Sequence, residues 1–204
     1  MLNCKCVKKS FDELIAGNKK FVSDTAYKKQ RRGGQPGACT VVVSCPDSCV
    51  PASIIFGNNN LGYFFEVKSV GQTIDADDIE SIKYAMIYLK AKLIVIIGHS
   101  GCHAIQTTVE SITDSKIRSQ FPNIIRDILP SVTLTIKRLN LTPEEISKSQ
   151  QKLINQSTIQ NALDKAQTIA YLLNLKYGEH VKAGIYDPPT GQVTWYDENH
   201  NIIK

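Results

Sequence analysis

The chain has 204 residues, 42% of them hydrophobic and 21% charged, with a formal net charge of +5. That is enough for one substantial core and short for two domains, and it excludes a disordered, collagenous or membrane-embedded polypeptide. No apolar run reaches the length of a membrane span and the amino terminus carries charges where a secretory signal needs an apolar stretch, so the six cysteines are read in a cytoplasmic setting, as metal ligands or free thiols rather than a disulfide framework.

Cys4 and Cys6 fall in an end expected to fray, where an exposed tail is a simpler reading than a metal pair. Ser10-Phe11-Asp12-Glu13 has the form of a capping box. Phe11, Leu14, Ile15, Phe21 and Val22 follow at near-helical spacing, which predicts a helix to about Ser23. The basic run Lys28-Lys29-Gln30-Arg31-Arg32 has few aromatics interleaved, so it reads as a solvated linker rather than a nucleic-acid contact. A first strand, around Cys39 to Ser44, runs straight into Cys45-Pro46-Asp47-Ser48-Cys49. Val50-Pro51 opens a short helix that Gly57 closes, and a second strand runs from Tyr63 to about Ser69. Asp75, Asp77 and Asp78 suit the positive end of the next helix, whose apolar stripe is Ile79, Ile82, Met86 and Leu89. The chain then returns through Leu93-Ile94-Val95-Ile96-Ile97, an apolar strand that stops at Gly98 and delivers His99 and Cys102.

Beyond Cys102 the residues Ile105, Thr108, Val109 and Ile112 read as helical. Pro122, Pro130 and Pro143 predict several short helices thereafter, with Thr142-Pro143-Glu144-Glu145 as a second capping box. From Gln160, the residues Leu163, Ala166, Ile169, Ala170 and Leu173 build a helix for Gly178 to cap. Val181 to Tyr186 and Val193 to Tyr196 flank Asp187-Pro188-Pro189-Thr190-Gly191 as a strand pair. Strands alternating with helices predict an α/β fold. It is a single domain over 1–204 with a mainly parallel central sheet flanked by helices and an extra carboxyl-terminal strand pair; residues 1–35 are an amino-terminal helical arm and basic loop.

In such a sheet the carboxyl ends of parallel strands gather along one edge, so Cys45, His99 and Cys102 can share a site. Two thiolates and an imidazole suit Zn²⁺, and three protein ligands leave a fourth position open, as in catalytic sites. Spacing alone leaves the plainer readings open, a small buried Cys and a hydrogen-bonded turn His.

Several motifs in order resemble the β-class carbonic anhydrase family. Leu14-Ile15-Ala16-Gly17-Asn18-Lys19-Lys20-Phe21 is similar to its first helical region, and Val43-Ser44-Cys45-Pro46-Asp47-Ser48 with Val50-Pro51 resembles its first zinc motif. Glu80-Ser81-Ile82-Lys83-Tyr84-Ala85 followed by Ile97-Gly98-His99-Ser100-Gly101-Cys102 resembles the second, the most specific match. Ala183-Gly184-Ile185-Tyr186-Asp187 with Thr190-Gly191-Gln192-Val193 fits the last strands. The resemblance implies Cys45, His99 and Cys102 as ligands of one Zn²⁺ per chain. It further implies a lyase that reversibly hydrates carbon dioxide to bicarbonate and a proton by zinc-bound hydroxide, with Asp47 accepting a hydrogen bond from that hydroxide. A homodimer or homotetramer is implied as well, with no membrane and no nucleic acid among its partners.

The sequence departs from the family around the same pocket. Where the family has an Arg that holds the Asp away from zinc, this chain has Cys49. Asp47 would then be drawn onto the dication, or Cys49 would add a thiolate as fourth ligand; either closes the site and leaves a zinc protein without hydratase activity. Only an outward Asp47 held by some other donor keeps the mechanism. The loop Lys68-Ser69-Val70-Gly71-Gln72 keeps only the Gly and a positive charge of the family's pattern, Ser53 replaces an acidic residue, and His103 stands where a small residue is usual. His103 is a candidate proton shuttle, Gln35 and Gly71 are candidate pocket residues, and the altered pocket admits carbonyl sulfide or carbon disulfide as related substrates.

Overall fold

The computed structural model of the chain describes residues 4–28 and 38–203. The β-branched runs become strands: β1 (Thr40–Ser44), β2 (Phe64–Lys68), β3 (Leu93–His99), β4 (Val181–Asp187) and β5 (Gln192–Tyr196), in the spatial order β2-β1-β3-β4-β5. β1 pairs in parallel with β2 and β3, β3 in parallel with β4, and only β4 and β5 run antiparallel. The parallel sheet and the carboxyl-terminal strand pair are therefore as the sequence predicts, and the fold is a single α/β domain.

Alternation along the central strands divides the core between the two faces of the sheet. Val41, Val43, Ile94 and Ile96 pack with Ile79 and Ile82 of α4 (Ala76–Tyr88) and with Leu163, Ala166 and Ile169 of α9 (Gln150–Leu172). Val42, Val95 and Ile97 face the other way, against Ala52 of α3 (Ala52–Ile55) and the partly buried rings of Phe56, Phe64 and Trp195. A third cluster lies past the strand ends, where Cys45 and Cys102 pack with Ile105 and Val109 of α5 (His103–Glu110) and with Ile128 and Val132 of α7 (Pro122–Leu139). Each fully buried Ile in these layers contributes roughly 1.5–3 kcal/mol.

The remaining helices are α1 (Cys4–Ser23), α2 (Thr25–Lys28), α6 (Ser115–Gln120) and α8 (Pro143–Lys148). Four local expectations need correction. The first helix begins at Cys4, so Ser10 is interior and caps nothing. Pro130 sits inside the 18-residue α7 on its exposed side, and burial of Ile125, Ile128 and Val132 along the opposite face outweighs the ~3 kcal/mol that an interior Pro costs. α9 starts at Gln150 rather than near Gln160 because tertiary burial of Leu153, Ile154 and Ser157 recruits a polar stretch. Its end is closed by Asn174 at φ 52, with Leu175 N–H donating to the Ala170 carbonyl at 2.8 Å, so Gly178 belongs to the following turn. The capping boxes at Asp75/Asp78 and Thr142/Glu145 both form.

Candidate metal centre

Two neighbouring strand ends build the centre. The β1–β3 register sets Ser44 opposite Ile97, so Cys45 emerges one residue past β1 while His99 is the last residue of β3. Gly101 (φ 69) then turns the chain and Cys102 becomes the residue preceding α5. Cys45, His99 and Cys102 are 6%, 1% and 1% exposed, and their ligating atoms all lie within 4.8 Å of one another.

The donor set fits a metal. His99 Nδ1–H donates to the Ser100 carbonyl at 3.1 Å, which fixes the ring and leaves Nε2 with a lone pair. That Nε2 is buried and has no hydrogen-bond partner among the described residues, an arrangement that costs free energy unless something takes the lone pair. Two sulfurs and one imidazole nitrogen are the donors Zn²⁺ favours. Gly71 N–H donates to Cys45 Sγ at 3.4 Å, and the hydrogen bond from the Cys102 thiol pushes Cys45 strongly towards thiolate. The bond to Cys45 and then burial push Cys102 up. Burial works against charge on His99, but the neighbouring Cys45 sulfur outweighs it and raises its pKa.

Asp47 and Cys49 stand beside this trio and form a second group with His99, again with ligating atoms within 4.8 Å. Cys49 N–H donates to Asp47 Oδ1 at 3.0 Å, which holds Asp47 below the usual carboxylate range. Burial, then the bond to Asp47, push the Cys49 thiol up to about 11. The Cys49 sulfur is 3.9 Å from His99 Nδ1.

His103 is exposed at the first position of α5, and Gly71 is buried behind Cys45. Gln35 and the basic run Lys29 to Arg32 lie outside the described residues. The sequence reading missed two supports of the centre. The Ser100 carbonyl orients His99, and Ser100 Oγ donates to Asp187 Oδ1 at 2.5 Å, tying the turn to the end of β4. The retained Tyr186-Asp187 was the only signal for the second; a backbone carbonyl leaves none.

A family model for carbonic anhydrase matches residues 40–193. The carbonic anhydrase of Mycolicibacterium smegmatis is 33% identical over 132 residues, which are 65% of this chain and 62% of that protein, so the chain spans less than two thirds of that relative. The solved β-carbonic anhydrase CcaA superposes with a TM-score of 0.76 at 18% identity, over 96% of this chain and 92% of that one. A structure from work on two tetrameric β-carbonic anhydrases of Sordaria macrospora gives 0.64 at 19% identity, over 93% and 94%.

Proposed function

The chain belongs to the β-class carbonic anhydrase family, and from that premise we propose that it binds one Zn²⁺ through Cys45, His99 and Cys102 and reversibly hydrates carbon dioxide to bicarbonate. The observation that carries this reading is the buried His99 Nε2, without a hydrogen-bond partner among the described residues and set beside two buried thiols. Zinc bound there would supply the Lewis acidity that makes water a nucleophile near neutral pH.

The chain's own groups divide the remaining work. Gly71 N–H and the Ser100 carbonyl orient and tune two of the three ligands from behind. Asp47 carries its negative charge at the mouth of the site, where its carboxylate accepts a hydrogen bond from the attacking water and orients it. His103, exposed one residue beyond Cys102, passes the proton to solvent. A cytoplasmic protein is consistent with these free thiols.

A homodimer or homotetramer is part of the same reading. α1 packs mainly against α2 and leaves Phe11, Leu14 and Val22 at 61%, 70% and 59% exposure. A row of large apolar side chains of that kind calls for a covering surface, and a second copy of the chain supplies one.

The second reading is a zinc protein closed by Asp47 or Cys49, which the trio of Asp47, Cys49 and His99 favours. Stopped-flow hydration on protein of measured zinc content separates the two. Activity at neutral pH with one zinc per chain is expected; none at any pH with full zinc would establish the closed site. Carbonyl sulfide and carbon disulfide belong in the same assay as alternative substrates.

A further inference from the structure

Helix α9 carries Asn161 at a fully buried position. An amide there is costly unless its groups are bonded, and Asn, a poor helix former, adds nothing to the helix in return. Its Nδ2 donates to the Gly71 carbonyl, 90 residues away in sequence, at 2.9 Å. A carbonyl can only accept, so the amide must present its NH2 group there. Ser131 Oγ, which donates to Asp164 Oδ2 at 2.5 Å, stands 3.4 Å from Asn161 Oδ1 on the other side.

The turn that Asn161 grips does not hold its shape unaided. Gly71 (φ 68, ψ 24) and Gln72 (φ 43) are two successive residues in the left-handed region, a strained conformation for the Gln and one of many open to the Gly. Gln72 N–H donates to the Ser69 carbonyl at 2.8 Å, but the wholly buried side-chain amide of Gln72 has no partner among the described residues. Val70, just before, is 43% exposed, so the turn is anchored from its inner side. Ile128 and Ala104 wall it there, but apolar contact does not fix the rotation of a peptide plane. The Asn161 bond does. From the same residue, Gly71 N–H reaches Cys45 Sγ at 3.4 Å, so the aim of that donor depends on how the Gly71 carbonyl is held.

Resting on the zinc reading above, we propose that Asn161 is a positioning residue of the metal centre: by clamping the Gly71 carbonyl it keeps the Gly71 N–H aimed at the Cys45 sulfur. An N–H bonded to a thiolate draws electron density from the sulfur and fixes its direction, so Asn161 sets the donor strength of a ligand it does not touch.

The test uses full chains of the wild type, of Asn161→Leu and the smaller Asn161→Val, which remove the donor at two volumes, and of Leu163→Ala, which loosens the core of the same helix and removes no donor. Amide hydrogen exchange is followed on the zinc-loaded proteins, the sulfur-to-metal charge-transfer band on the cobalt(II)-substituted ones, and zinc affinity by chelator competition. In the donor-free variants, exchange at Gly71 relative to Ile96 should rise about tenfold and the cobalt band should move to longer wavelength. Zinc affinity should fall about tenfold. In Leu163→Ala the exchange ratio and the band should stay at their wild-type values, whatever the loss of stability. An unmoved band or an unmoved ratio in a folded donor-free variant would overturn the proposal, and so would the same changes in Leu163→Ala. Wild type that takes up neither metal would sink the zinc reading and the proposal together, whereas a metal-bound wild type with unresponsive variants would sink the proposal alone.

Discussion

His99 and Gly71 show how single residues serve the centre in opposite ways. His99 offers a ligand atom that nothing else in the described structure satisfies, so His99→Ala should lose metal outright. The cost should exceed the ~10–100-fold affinity loss typical of removing a mere outer partner of a ligand. Metal analysis of the purified variant is the check, and full zinc content would remove His99 from the ligand set. Gly71 contributes by having no side chain. It sits at φ +68, and a Cβ there would lie 2.7 Å from Ile128 Cδ1 and 2.9 Å from Ala104 Cβ. Gly71→Ala should therefore destabilise the fold by roughly 2–4 kcal/mol, read as a lower denaturation midpoint, and loosen the N–H that supports Cys45. The clustering of Cys45, His99 and Cys102 was legible in the sequence because each sits at or just past a strand end. The Asp47–Cys49 contact was not, since it depends on a main-chain N–H in a turn and no side-chain pattern encodes that direction.

Among the elements, the strands were the most legible and the helix ends the least. β1 and β3 announce themselves as short β-branched runs ending in chemistry. The amino-terminal part of α9, beginning Gln150-Gln151-Lys152, is polar and becomes helical only through what it packs against, which a local pattern cannot contain. Pro130 misleads for the same reason. The junction of β3 and β4 carries a pH signature. Ser100 Oγ and then Thr190 Oγ1, at 2.5 and 2.7 Å, bond the Asp187 carboxylate and hold it below the usual range. A depressed carboxylate contributes stability that is present above its unfolded pKa of ~3.9 and is lost as pH falls through the folded value. Asp187→Asn should accordingly be less stable than the wild type near pH 6, with the gap closing as both are acidified below about pH 4. Denaturant midpoints across that range test this; a gap independent of pH would mean that the carboxylate's charge plays no part.

At the scale of the whole molecule, the fold class and the parallel order follow from alternation of strands and helices, whereas the surface left by α1 does not. The helix was expected from Phe11 onward on the spacing of its apolar residues, and spacing does not tell that Phe11, Leu14 and Val22 stand exposed. Phe11→Lys together with Leu14→Lys should lower the association state without unfolding the chain, because those side chains touch little of their own core. Sedimentation velocity at micromolar concentration measures it, and an unchanged mass would exclude α1 from the interface. His99 has a different standing. It is the last residue of a strand bonded on both sides, to β1 along Thr40–Ser44 and to β4 as far as Tyr186. Swinging its ring out of the cluster means unpacking a buried strand end that the β4 ladder holds at Tyr186, an event closer to sub-global opening than to the breathing of a loop. The residence time of a bound ion is then governed by how often the middle of the protein opens, and metal exchange should run in step with hydrogen exchange at the buried amides of Ile96 and Ile97.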